Sequence, residues 1–95
     1  MGSYRLSAQA ETDLIRIHQW GIQRFGEEQG DLYYFKLIDQ CELIAATPLL
    51  YPTADDTRQG YRRCVCGVDT IYYRIIQDTV EIMAIIGRQD TDTWL

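Results

Sequence analysis

The sequence predicts an α+β domain: an N-terminal strand, an antiparallel helical hairpin, then a three-stranded antiparallel sheet, in the order β-α-α-β-β-β. Three observations carry that prediction. Apolar residues recur every three or four positions from Ala10 to Ala45, the signature of amphipathic helices. After Gly60 the period switches to two, as in strands. The connections between these segments are short and hold Gly, Pro or polar clusters, which suits hairpins rather than long crossovers. One domain is expected over residues 1–95, since a chain of this length supports one modest core.

Each element follows in order. Tyr4-Arg5-Leu6 is a short β-like start. Ser7 is placed to cap a helix, its hydroxyl accepting from the orphan amides of the first turn. Ala10, Leu14, Ile17, Gly21 and Phe25 make one helical face. Glu11 and Asp13 sit near the positive end of that helix dipole, and Gly26 is its stop. A second helix is expected from about Glu27 to Thr47. Tyr33, Leu37, Cys41 and Ile44 form its stripe, widened by Tyr34, Ile38 and Ala45. Pro48 ends it, because the residue before a proline resists the α conformation. Leu49–Gly60 reads as a loop. Strands follow at Tyr61–Cys66, Thr70–Ile76 and Val80–Ile86, with turns at Gly67 and at Gln77-Asp78-Thr79.

Strict alternation in the last strand points Val80, Ile82, Ala84 and Ile86 one way and Glu81, Met83 and Ile85 the other. Two helices cover one sheet face. The second face is then expected to expose an apolar set such as Tyr72, Met83 and Ile85, which suggests a protein partner. The alternative is that the tail Arg88–Leu95 folds back with Trp94 and covers it.

Composition narrows the function. Of 95 residues, nine are basic and fourteen acidic, for a net charge of −5. Residues 1–57 carry four basic and nine acidic side chains, while residues 58–95 carry five of each. This balance weighs against direct nucleic-acid binding, which favours a basic surface. No run approaches the roughly 20 apolar residues a membrane helix needs. No apolar signal region opens the sequence, so a cytoplasmic location is expected. Cys41, Cys64 and Cys66 are an odd count and read as reduced structural thiols. A zinc site from these and His18 is the weaker reading, since C-x-C departs from the usual C-x-x-C loop. No cofactor is implied.

The segment Asp55-Asp56-Thr57-Arg58-Gln59-Gly60-Tyr61-Arg62 resembles the acidic-x-Arg-x-Gly-Tyr-Arg signature of ParE toxins in the RelE/ParE superfamily. Leu6-Ser7-x-x-Ala10-x-x-Asp13-Leu14-x-x-Ile17 resembles that family's first helix, and Phe25-Gly26-x-x-Gln29 its helical corner. Ile71-Tyr72-Tyr73-Arg74 resembles its middle strand. Ile85-Ile86-Gly87-Arg88-Gln89-Asp90 with Trp94-Leu95 resembles its C-terminal end. The resemblance implies a toxin of a type II toxin–antitoxin pair, with a role in plasmid maintenance or stress response. It further implies inhibition of DNA gyrase by protein binding and neutralisation by a ParD-like antitoxin.

The RelE-type relatives are ribosome-dependent mRNA endonucleases, which need proton-transfer groups and cations around the phosphate. This sequence departs from their pattern. Thr70 stands where the resemblance places a catalytic Arg of the middle strand. Leu95 or its neighbours replace a C-terminal Tyr, and the loop before the sheet lacks lysines. The expectation is therefore a non-enzymatic toxin with no catalytic residues. The alternatives are a RelE-like endonuclease or an inactive antitoxin-binding relative. His18, the only histidine, reads as a surface or boundary residue. The candidate interface for antitoxin or target is Arg58, Tyr61, Arg62, Tyr72, Arg74, Met83, Ile85, Arg88, Asp90 and Trp94. Arg62 or Arg74 is the favoured anchor, and Arg63 reads as ordinary strand-edge solvation or a salt bridge to Asp55, Asp56 or Asp90.

Overall fold

A computed structural model describes residues 2–87. Its elements are β1 (Ser3–Leu6), α1 (Ala8–Phe25), α2 (Glu27–Ala46), β2 (Arg62–Cys66), β3 (Asp69–Ile76) and β4 (Thr79–Gly87). The predicted α+β class and element order hold. The three C-terminal strands form antiparallel hairpins, and β1 joins them as a fourth strand, parallel to β4. The sheet order is β1-β4-β3-β2.

Local chemistry sets the helix ends. Ser7 caps α1, its hydroxyl accepting from the Ala10 amide at 3.0 Å. The same hydroxyl donates to the Met83 carbonyl at 2.9 Å, and the Ser7 amide donates to the Ile82 carbonyl at 2.9 Å. One residue thus starts the helix and fastens it to β4. Gly26 alone joins the two helices, at φ +96. A Cβ is disfavoured in that region, so glycine is the natural residue there.

The hairpin closes at a tight crossing. A Cβ built on Gly30 would lie 2.7 Å from the Ile22 amide nitrogen and 3.0 Å from its Cα. One built on Gly21 would meet only the Gly30 Cα, at 3.4 Å. The two glycines are therefore expected to respond differently to alanine. Gly30→Ala forces backbone apart and lowers stability by about 2 kcal/mol, outweighing its gain in helix propensity. Gly21→Ala makes an ordinary contact and gains up to about 1 kcal/mol from propensity. Urea denaturation of both variants checks this; equal effects would contradict the crossing geometry.

The core lies between the hairpin and one sheet face. Ala10, Leu14 and Ile17 of α1 meet Leu37, Cys41 and Ile44 of α2 over Ile71, Tyr73, Val80, Ile82 and Ile85. Cys64 and Cys66 share this face, as their spacing predicts. Phe25, placed on the buried face by periodicity, is instead 62% exposed. It is the last residue of α1, just before the Gly26 turn, and its ring lies edge-on to Trp20.

The parity of β4 also differs from strict alternation. Tyr73 pairs with Ile82 while Tyr72 pairs with Ala84, so Met83 is an extra residue in a β-bulge. A bulge reverses the facing of everything beyond it. Ile85 therefore joins Val80 and Ile82 against the helices and is fully buried. Ala84 and Ile86 turn to the second face and cluster with Tyr72 and Ala54, with Tyr61 packed alongside. The expected exposure of Tyr72 and Ile85 is thus corrected: both are buried, and Met83 is half-buried.

The loop after Pro48 is fastened to the edge of β2. Tyr73 donates its hydroxyl to the Pro48 carbonyl at 2.6 Å. The Arg63 amide donates to the Pro52 carbonyl at 3.1 Å, and Thr53 bridges to Arg62. The Ala54 amide donates to the Tyr61 carbonyl at 2.7 Å, which sets Ala54 into the second cluster. The β3–β4 turn puts Gln77 at φ 50 and Asp78 at φ 66, the twist a two-residue hairpin requires.

Candidate functional site

The second sheet face carries arginines in a cross-strand row. Tyr4 and Leu6 pack on the core, so alternation turns Arg5 outward. Arg5 is in register with Glu81, and Glu81 with Arg74. The Arg74 guanidinium reaches Glu81 at 2.8 and 2.9 Å, and Arg5 reaches it at 3.4 Å. These contacts, the Arg74 hydrogen bond foremost, hold the Glu81 carboxyl below its ordinary value. Both arginines remain substantially exposed, so the row contributes little to stability, about 1 kcal/mol or less per pair. It is a charged surface more than a staple.

Arg63 shares this face, in register with Tyr72. Its guanidinium lies 3.3 Å from Asp56 of the loop. Arg62 turns the other way, in register with Tyr73, and donates to the Tyr51 carbonyl at 2.6 Å. Its observed work is therefore to hold the loop. Arg58 is exposed in the turn Asp55–Gly60, where the Asp55 carboxylate accepts from the Gly60 amide at 2.8 Å. The structure thus brings together Tyr61, Tyr72 and Arg74 on one face and separates Arg62 and Ile85 from them. Arg88, Asp90 and Trp94 lie outside the described residues. Arg5, which sequence reasoning passed over, completes the row.

The other chemically capable groups are committed elsewhere. His18 holds Asp31 at 2.7 Å and stacks on Tyr34 at 4.7 Å, both on α2. Its place at the half-buried boundary of the hairpin matches the sequence reading. Cys41, Cys64 and Cys66 are buried free thiols. Burial, with Cys66 and Cys64 nearby, pushes the Cys41 thiol up to about 12. A thiol held neutral in this way is a poor nucleophile and a poor metal ligand at neutral pH. Among the described residues no cluster of His, Cys, Asp or Glu is placed to hold a metal. Thr70 stands half-buried on β3, in register with Val65 and Ile86. No helix among the described residues is long and apolar enough to cross a membrane.

Comparison with known proteins agrees with this architecture. The family model described as "ParE toxin of type II toxin-antitoxin system, parDE" matches residues 4–91. The chain is 39% identical over 75 residues to Toxin ParE1 of Caulobacter vibrioides, covering 79% of this chain and 78% of that protein. It is 30% identical over 91 residues to Toxin ParE1 of Mycobacterium tuberculosis, covering 94% and 93%. A solved structure described as "Chromosomal ParDE TA system from P. aeruginosa" superposes with a TM-score of 0.81 at 16% identity. That match covers 92% of this chain and 96% of the other and shows a shared fold.

Proposed function

The chain belongs to the ParE toxin family of type II toxin–antitoxin systems, and we propose that it acts in the cytoplasm by binding DNA gyrase, without catalysis, and is neutralised by a ParD-like antitoxin. The observation that carries this reading is the arginine row on the second sheet face. Arg5, Arg74 and Arg63 stand there beside the packed tyrosines Tyr61 and Tyr72. Arginine beside aromatic surface is the composition of protein–protein anchors. The one carboxylate of the row, Glu81, is engaged by Arg74 and Arg5, Thr70 occupies the middle strand, and His18 is engaged on the helices.

The interface in this proposal comprises Arg5, Arg63 and Arg74 of the row with Arg58, Tyr61 and Met83, together with Arg88, Asp90 and Trp94. Tyr72 supports the surface from beneath. Ile85 leaves the set because it faces the core, and Arg62 serves by shaping the loop. Charged rims of this kind steer encounter and fix register, so an antitoxin segment with carboxylates complements the row.

The purified toxin is expected to inhibit supercoiling by gyrase, with inhibition relieved by the antitoxin. Supercoiling left intact while translated mRNA is cleaved would overturn the proposal. Within it, Arg74→Glu is expected to weaken antitoxin binding at least tenfold, about 1.4 kcal/mol. Arg74→Gln serves as the control for fold stability, because reversing the charge sets two acids opposite each other. Unchanged affinity in both variants would remove Arg74 from the interface.

A further inference from the structure

The helical hairpin carries an apolar surface on the side turned away from the sheet. On α2, Leu32, Phe35 and Leu43 are 58%, 58% and 56% exposed, and Ile15 of α1 is 58% exposed. All of them lie outside the two packed apolar clusters. Leu32, Lys36, Asp39 and Leu43 are spaced by four, three and four residues, the spacing that keeps one seam of a helix facing another helix. The seam lies on the far side of α2 from Leu37, Cys41 and Ile44, which enter the core. At its middle stand an exposed acid, Asp39, and an exposed base, Lys36, the only lysine of the chain.

This pattern is complementary to itself. Laid antiparallel against a copy, with the midpoint between Leu37 and Ile38, it opposes Leu32 to Leu43 and Lys36 to Asp39. A parallel pairing would set Lys36 against Lys36 and Asp39 against Asp39. Ile15 falls at the same level. Ile22 crosses Gly30 and His18 stacks on Tyr34, so counting along the antiparallel hairpin brings Ile15 level with Leu37. A two-fold axis through that midpoint therefore sets Ile15 against its own copy, as an isologous contact requires.

We propose that a second copy of the chain docks on this outer face, forming a symmetric antiparallel four-helix contact in which Lys36 of each chain meets Asp39 of the other. The register selects a copy as the occupant, because charge and apolar positions find their complements in the same sequence read in the opposite sense. The apolar side chains supply the attraction. The central ion pairs add little energy, since desolvation offsets most of their Coulomb gain. Their work is to fix register and direction, as polar residues within a helical seam do. A few large side chains from each chain bury less than about 1,200 Å² in total, the low end of specific interfaces. The dimer therefore forms and dissociates with concentration. It leaves the arginine row on the second sheet face open and stands independently of the gyrase reading.

Sedimentation equilibrium of the full-length chain tests the proposal. From about 10 µM to about 1 mM, the range suited to a small interface, the average mass is expected to climb from one chain towards two. Lys36→Asp leaves only acids in the central layer, and Asp39→Lys leaves only bases. Each variant alone is expected to keep the mass of one chain. Mixed in equal amounts, the two are expected to associate at least as strongly as the parent, because every acid then meets a base on the other chain. Mixing cannot alter a pairing within one helix, so this recovery reports the contact between chains. Leu43→Gln keeps all the charges and is expected to weaken association about tenfold. Circular dichroism melts check that each variant is folded; all three positions are exposed. A parent chain that stays monomeric throughout overturns the proposal. So does either charge variant associating alone as the parent does, or a mixture that stays monomeric while the parent dimerises. A parent dimer lost in Arg74→Glu but kept in Lys36→Asp also overturns it, by moving the contact to the second sheet face.

Discussion

Asp13→Ala is expected to lower the stability of the fold by about 3 kcal/mol, read as a fall in the urea midpoint at unchanged m-value. The size follows from where β1 ends. Its last pair is Leu6 with Ile82, so β4 from Met83 to Gly87 extends beyond its strand neighbour on that side. An unpaired buried edge would leave amides and carbonyls unsatisfied. Side chains of the α1 end take the place of the missing strand. Ser7 donates to the Met83 carbonyl, Asp13 accepts from the Ile85 amide at 3.0 Å, and Arg16 donates to the Ile85 carbonyl at 3.3 Å. Asp13 is 4% exposed, with Gln9 at 2.9 Å and Arg16 at 3.5 Å on its other oxygen. Alanine removes the acceptor and strands the Ile85 amide in a dry site. Asp13→Asn keeps an acceptor oxygen and is expected to cost about 1 kcal/mol, the difference between a charge-assisted and a neutral hydrogen bond. Arg16→Ala, at a side chain that is 47% exposed, is expected to cost about 1 kcal/mol or less. An Asp13→Ala effect no larger than that of Arg16→Ala would refute the strand-substitute role.

This buried aspartate also shows where sequence reading stops. An acid in the first turns of a helix is explained locally by the dipole, so nothing in the pattern asks for a second role. Its partner is 72 residues away, on a strand whose partnership with β1 is equally remote. The parallel β1–β4 pairing carries no turn signal, unlike the hairpins at Gly67 and Gln77-Asp78. The bulge was hidden for a related reason. Ile82-Met83-Ala84-Ile85-Ile86 is apolar throughout, and a uniform run holds no parity marker to reveal an extra residue. Elements with a chemical stop were legible: Ser7, Gly26 and Pro48 bound the helices within one residue of expectation. For the candidate site, the arginine-bearing face was legible in Arg74 and Tyr61. The contrast between Arg62 and Arg63 was not, because either parity suits a strand opening on two arginines. Arg5 was half legible: Tyr4 and Leu6 turn it outward, but only the remote pairing sets it against Glu81.

Between pH 9 and pH 12 the protein is expected to lose stability steeply, by about 4 kcal/mol from Cys41 alone. Cys41 lies fully buried on α2. Its thiol is pushed from 9.0 up to about 12, first by burial, then by the neighbouring Cys66 and Cys64. Tyr73 moves the same way, from 10.0 up to about 12, again by burial, against the opposing pull of Arg62. In the unfolded chain these groups ionise near their ordinary values, while in the folded chain they stay neutral. Over that window the unfolded state binds fewer protons, so stability falls as pH rises, by about 1.4 kcal/mol per pH unit for each group. The contribution is complete below pH 9 and is spent once pH passes the folded values. Thermal melts under reducing conditions from pH 7 to pH 12 measure it. Cys41→Ala lowers stability below pH 9 by an amount set by the vacated volume, and the gap to the parent is expected to narrow above pH 9, where the variant's decline is shallower by one proton. Tyr73→Phe shows the same flattening from pH 10 upward, on top of the loss of its hydrogen bond to the Pro48 carbonyl. Parallel curves for the parent chain and Cys41→Ala would mean that the thiol ionises as readily inside as outside. The dry seat between α2 and β2 would then be wrong, and with it the reason these cysteines serve packing and not chemistry.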